Sequence, residues 1–213
     1  MALSHGRVVK VGETLYPHEQ EGIAFAIAAL PEYYAKHQIN GFREGRRGHH
    51  PEDTQSSLMG MIAKQLTDAQ AEAVIAHITK LPRTIPAGID KDSQNADVAN
   101  GQMLFQERCM ECHRYNASGE MAFGSPPLIG RQGWYLADQL KKFKTGKRGT
   151  HKSDVNGAKM VQITNFFIED DQMLRDVVAY IMTLNPDPSA SKEQQDKQII
   201  EGSPFEAVKT AER

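Results

Sequence analysis

Cys109-Met110-Glu111-Cys112-His113 is the stretch that decides the fold, a C-x-x-C-H string in a chain of 213 residues with two cysteines. Two thiols one helical turn apart can each add to a vinyl group of a porphyrin, and the next residue can present an imidazole to the iron. A zinc site would need two further ligands, yet His151 is the only histidine after His113, so the H-x(3–5)-H half is missing. A thioredoxin-like redox pair would need a βαβ setting, and nothing here reads as one. A plain disulfide stays open but leaves His113 without a role. Two cysteines cannot staple a chain this size.

The flanks extend the pattern. Upstream, Val98, Gly101, Leu104 and Phe105 share one helical face leading into Cys109. Downstream come Pro126-Pro127-Leu128-Ile129-Gly130, then Trp134-Tyr135-Leu136 and the amphipathic Gln139-Leu140-Lys141-Lys142-Phe143. A Gly- and Lys-rich stretch, a turn signal at Asn156-Gly157 and then Met160 follow. Glu169-Asp170-Asp171 suit a helix N-terminus, opening a segment with Leu174, Val177, Val178, Ile181 and Leu184 on its apolar face.

With these residues in place, the sequence resembles the class I c-type cytochromes, and among them the two-domain, c4-like group. The carrying features are the C-x-x-C-H at 109–113, the P-x-L-x-G of Pro126, Leu128 and Gly130, the W-Y-L-x-x-Q-L-x-x-F from Trp134 to Phe143, and the late Met160. The resemblance implies an all-α fold of two tandem cytochrome c-like domains, with one covalent haem c at Cys109 and Cys112. It implies iron ligation by His113 and Met160, with a proline carbonyl orienting the histidine. Pro126 is the matching position, and Pro127 is the alternative. Trp134 is placed by the same resemblance near a haem propionate, and a core aromatic role is compatible with that. Gly101 and Phe105 match the point where the first helix crosses the last near Tyr180.

Nine methionines compete for the axial role. Met173 and Met182 read as core in the last helix, where methionine commonly fills gaps. Met103 and Met110 precede the histidine, and Met121 is too near it. Met160 has the loop position, the distance from His113 and the match to the family it resembles.

Internal repetition gives a second line. A shift of 101 residues lays Tyr34, Gln38, Phe42, Gly45, Arg47, Gly48, His50, Asp53, Met59 and Ile62 on identical residues, ten matches in the twenty-nine positions 34–62. After a two-residue gap Asp68, Val74, Ala76, Ile78 and Leu81 match Asp171, Val177, Ala179, Ile181 and Leu184, and Thr67-x-x-Gln70 supplies a capping box. The first half therefore reads as a duplicated cytochrome domain, but one without cysteine. Met1-Ala2-Leu3-Ser4-His5-Gly6 has the outline of C-x-x-C-H-G with both thiols replaced, and His5 stands 54 residues before Met59 where His113 stands 47 before Met160. Three readings follow: a haem-less domain whose pocket is refilled by side chains such as Phe25 and Ile27, a haem held by His5 and Met59 alone, or a pocket turned to another ligand.

The expected division is 1–82 for the degenerate domain, 83–97 for a linker broken by Pro86 and Gly88, 98–184 for the haem domain and 185–213 for a polar tail. Charge nearly cancels, 25 Lys+Arg against 27 Asp+Glu, which gives no global field for nucleic acid or anionic membrane. The longest apolar run, Ile23 to Leu30, is too short for a bilayer span, and polar sequence after Met1 shows no secretory leader. Arg131, Lys141, Lys142, Lys144, Lys147, Arg148 and Lys152 face one acid, Asp138, in that segment. This cluster reads either as a solvated face or as a docking face for an acidic redox partner. His49-His50 beside Pro51 reads as an exposed turn, and His18, His37 and His77 as surface or packing residues.

The implied role is periplasmic electron transfer, non-enzymatic in itself. The chain would serve as the cytochrome subunit or partner of a larger oxidoreductase, with a freely diffusing carrier as the alternative and a ligand sensor as a weaker one.

Overall fold

A computed structural model describes residues 27–82, 95–185 and 197 of the chain. Among the described residues the regular elements are helical, and the one ladder contact is an isolated bridge between Glu120 and Ser125. The first half gives α1 (Glu32–Arg43), α2 (Thr54–Gln65) and α3 (Asp68–Lys80). The second gives α4 (Val98–Arg108), the one-turn α5 (Met110–His113), α6 (Gly133–Lys144), α7 (Val155–Phe167) and α8 (Asp171–Thr183), with a 3-10 turn at Met121–Phe123. No described helix is long and apolar enough to cross a membrane. Met1 to Gly6, Phe25 and nearly all of the expected linker and tail lie outside the described residues.

Side-chain caps start most of these helices, each satisfying an amide that the first turn leaves unpaired. Thr67 and Gln70 form the reciprocal capping box of α3. Asp97 accepts from the amides of Ala99 and Asn100, both at 3.0 Å. Asp170 accepts from Met173 at 2.8 Å, so the acidic triplet does open the last helix. Asp154 accepts from Gly157 at 2.9 Å, which corrects the expected turn at Asn156-Gly157. Those residues form the first turn of α7, and Met160 accordingly sits on a helix rather than in a loop. Glycine is needed at 157 for packing: a Cβ there would stand 2.6 Å from Gly149 Cα.

The second half is built on the crossing of α4 and α8. A Cβ on Gly101 would lie 1.9 Å from the Asp176 carbonyl oxygen, so the two backbones touch where side chains would hold them apart. Phe105, fully buried, packs on Tyr180 with ring centroids 5.5 Å apart. Burying a side chain of that size contributes about 2–3 kcal/mol. Asp176 is buried beneath the crossing, and its carboxylate accepts from Asp97 N, Asn100 Nδ2 and Gln172 Nε2, each at 2.8 Å. Ile129, Leu136, Ile168, Leu174, Val178 and Met182 complete this core. A separate, smaller cluster of Leu30, Tyr34, Ala35, Ile75 and Ile78 holds the first half.

Two expectations are corrected here. Ile27 does not fill the first half, being 38% exposed. The chain turns through a left-handed Ala29 (φ 53°), whose amide donates to Ile78 O, and this buries Ala28 and Leu30 instead. Nor is the basic segment a free face. Arg131 and Arg148 are buried, and Arg131 donates to Ala28 O at 2.9 Å. Lys142 pairs with Asp53 at 3.0 Å, Lys147 with Glu52 at 3.1 Å, and Lys144 donates to the carbonyls at the end of α7. The cluster is consumed largely in fastening the halves together.

Gly101→Ala should therefore lower stability by about 3 kcal/mol through overpacking against backbone, measured by denaturant unfolding. The interface also carries a pH signature. Burial acts to raise the Asp53 carboxyl, but hydrogen bonds from Ser56 and Lys142 outweigh it and hold the pKa below the usual range. A depressed carboxylate stabilises the fold above its unfolded pKa, and this contribution disappears as pH falls through the folded value. Thermal midpoints of the parent and Asp53→Asn should differ at neutral pH and converge on acidification.

Candidate functional site

The end of α4 and the one turn of α5 carry the motif. Cys109 closes α4 and opens α5, its amide donating to Phe105 O and its carbonyl accepting from His113 N, both at 2.9 Å. The crossing that fixes α4 therefore fixes both thiols and the imidazole. The two cysteines are not joined in a disulfide. Burial, then the neighbouring Cys112, pushes the Cys109 pKa up to about 12, so its Sγ holds its proton at neutral pH.

After His113 the chain folds back on itself. Arg114 (φ 66°) and Ala117 (φ 56°) take left-handed conformations, and the Ala117 carbonyl accepts from Leu128 and Ile129. Gly119, at φ +78°, packs where a Cβ would stand 2.5 Å from the Pro126 carbonyl carbon. Glu120 and Ser125 exchange both backbone hydrogen bonds at 3.0 Å. The closed loop aims the Pro126 carbonyl at His113, with Nδ1 to O at 3.0 Å. A carbonyl only accepts, so the proton resides on Nδ1 and Nε2 is the nitrogen with a free lone pair. Burial lowers the His113 pKa against the opposing effect of the Pro126 hydrogen bond, which keeps the ring neutral. Tyr33 of the first half donates to Ser125 O at 2.8 Å and clamps the loop from outside. Its phenol is raised by burial and by nearby Glu120, so it stays a donor.

Cys109, Cys112, His113, Pro126 and Met160 all line one cavity of about 210 Å³. Five of the six residues expected from the sequence thus come together. Trp134 does not: α6 turns Tyr135, Leu136, Gln139, Leu140 and Phe143 to the cavity, and Trp134 packs edge-on against Tyr135 at 6.0 Å. The wall also contains residues the sequence reading passed over. Tyr34, His37, Gln38, Arg46 and Arg47 reach in from the first half. His37 accepts at Nε2 from Arg46 at 3.0 Å, and burial, then the Arg46 charge, lowers its pKa. The available signal was the repeat itself, since Tyr34, Gln38 and Arg47 are among the residues kept in both halves.

The donor set fits a haem: two thiols one turn apart, a neutral imidazole with its outer nitrogen committed to a carbonyl, and a thioether in the same cavity. Residues 98–185 match the family model described as cytochrome c. It is this second half of the chain that is similar to the cytochrome c family. The family binds haem c covalently and uses it for electron transfer. The Thiosulfate dehydrogenase electron acceptor of Stutzerimonas stutzeri (strain A1501) is 28% identical over 153 residues, 66% of this chain and 67% of that protein. A protein of the same name from Thiomonas intermedia (strain K12) is 29% identical over 135 residues, covering 57% of this chain and 55% of its own length. The chain therefore spans little more than half of that second relative. Among solved structures, Acidithiobacillus ferrooxidans cytochrome c4 superposes with a TM-score of 0.57 at 21% identity, over 74% of this chain and 87% of that one. The fold is thus the two-domain, helical c4 arrangement.

Gly119→Val should break the loop by backbone strain and by collision with Pro126. The expected outcome is a several-fold lower yield of haem-loaded cytochrome, read as the ratio of Soret to protein absorbance.

Proposed function

We propose that this cytochrome carries one haem c, attached at Cys109 and Cys112 and ligated by His113 and Met160, with Pro126 orienting His113. The observation that carries the reading is that a neutral, carbonyl-anchored His113 and the Met160 thioether line the same cavity as both thiols. When bound, the haem supplies a one-electron iron couple. The chain's residues hold it and set its potential. A Met160 thioether beside the His113 imidazole would favour a higher potential than two histidines and would leave the bound group no open place for substrate.

The count of one rests on the first half. Met59, the counterpart of Met160, is 44% exposed and lies outside the cavity. Ile62 is 48% exposed, whereas its counterpart Ile163 lines the cavity. Both cysteines belong to the second half. This supports a division into a haem-less domain at 1–82, a linker at 83–97, a haem domain at 98–184 and a tail at 185–213.

By likeness to its relatives the cytochrome accepts electrons from an oxidoreductase of the thiosulfate dehydrogenase kind, in the periplasm, where haem c is attached. The buried Lys142–Asp53 pair and the buried Arg131 and Arg148, which fix the haem-less half to the haem domain, favour a cytochrome built as a subunit or standing partner.

Intact mass under denaturing conditions, paired with a pyridine haemochrome count, tests the reading. One haem that survives denaturation is expected. Two per chain would restore His5 and Met59 as ligands, and none would leave Cys109 and Cys112 as ordinary thiols. Met160→Ala should keep the covalent haem, lower its potential and admit carbon monoxide to the reduced protein. An unchanged spectrum and potential would reassign the axial ligand.

A further inference from the structure

Arg47 and Arg148 occupy equivalent places in the two halves, and their surroundings repeat. Each guanidinium lies over its own half's phenylalanine, Arg47 over Phe42 and Arg148 over Phe143, both with Cζ 4.5 Å from the ring centroid. Their hydrogen bonds cross reciprocally. Arg47 donates to Gln38 at 2.5 Å and across to Gln139 at 3.4 Å. Arg148 donates to Gln139 and across to Gln38 and Tyr34, the last two at 3.2 Å.

The acceptors are carboxamides and a phenol. Among the described residues no carboxylate is hydrogen-bonded to either guanidinium. Arg47 Nε is inaccessible and has no hydrogen-bond partner at all. Two cations side by side, a buried Arg148 and a partly exposed Arg47, hydrogen-bonded only to neutral acceptors and reached by Asp154 and Asp53 only through space, are a costly arrangement. Burial first, and then the Arg148 charge, pushes the Arg47 pKa down to about 10. Such a pair is stabilised by an anion between or beside its members. The acids in the cavity wall do not fill that place: Asp154 is committed to capping α7, and Glu111 lies on α5 beside the thiols. Both arginines line the cavity that holds His113 and Met160. A planar guanidinium with a free N–H suits a carboxylate, and haem bears two propionate carboxylates.

We propose that Arg47, supplied by the half without cysteines, binds a propionate carboxylate of the haem held by the other half, acting beside Arg148. This rests on the haem assignment above. Arg47 is then a positioning residue whose charge also raises the potential, because a nearby cation favours the form carrying one more electron. The haem-less half is retained as part of the haem site's wall.

The test compares haem-loaded parent, Arg47→Gln, Arg47→Lys and, as a control, Arg43→Gln, whose arginine pairs with Asp68 on the outer side of α1. Midpoint potential and the propionate-bending band in the resonance Raman spectrum are read on each. Arg47→Gln should lower the potential and move the band. Arg47→Lys should keep the potential near the parent's while still moving the band, since the planar fork is lost and the charge is not. Arg43→Gln should leave both in place. Unchanged potential and band in Arg47→Gln with full haem content would overturn the proposal. Should Arg47→Gln fail to accumulate, an unmoved band in Arg47→Lys would overturn it. A parent chain without covalent haem would instead defeat the haem assignment.

Discussion

The contact between two backbones at Gly101 and Asp176 is the constraint on which the rest of the second half depends. With no Cβ between them, α4 and α8 cross closely enough for Phe105 to stack on Tyr180 and for Asp176 to tie the start of α4 to the middle of α8. Once α4 is held there, its last residue is Cys109, and the following turn must present Cys112 and His113 to the same side. The loop from Arg114 to Gly130 then has one task, to return a carbonyl to His113. It does so with two left-handed non-glycine residues and one glycine packed against the carbonyl's own peptide. Scaffold, attachment site and ligand orientation thus form one mechanical chain, in which the last link is strained and the first is tightly packed.

The first half takes part in this chain rather than sitting beside it. Tyr33 reaches the outside of the ligand loop, Ala28 takes a bond from Arg131, and Asp53 meets Lys142. The repeated residues concentrate on the seam: Gln38 and Gln139 exchange arginines, and His49 touches Thr150, the position equivalent to itself. Reciprocity of this kind is what a two-fold interface imposes on identical partners. Here it survives in two halves that have otherwise diverged, most visibly at Met59 and Met160.

Much of this was legible in the sequence, and for identifiable reasons. C-x-x-C-H is local chemistry, and its spacing carries over directly to one turn of helix. The apolar spacing of α4 and α8, the Thr67 capping box and the acids before α8 are local rules that tertiary packing left intact. The errors came where long-range contact overrode a local signal. Asn156-Gly157 looks like a turn, but Asp154 caps a helix there, and Gly157 is small so that Gly149 can approach. Ile27 looks like core, but the chain bends at Ala29 before it can be buried. Trp134 was placed by likeness, while the rotation of α6 puts Tyr135 in the cavity. His37 and Arg47 were not legible as site residues because their relevance comes from the other half of the chain.

The basic segment from Arg131 to Lys152 shows most clearly how the seam changes a functional reading. In the sequence, seven cations against one acid invite docking of an acidic partner. In the structure most of them are inside or paired, and those left exposed, Lys141 and Lys152, are too few to steer an encounter by themselves. The same charges have been moved from the surface to the seam between the halves. There the buried ones, Arg131 and Arg148, and the nearly buried Lys142 act on their neighbours more strongly than they would in water. Basic residues placed this way hold the two halves together rather than present a field to a passing partner.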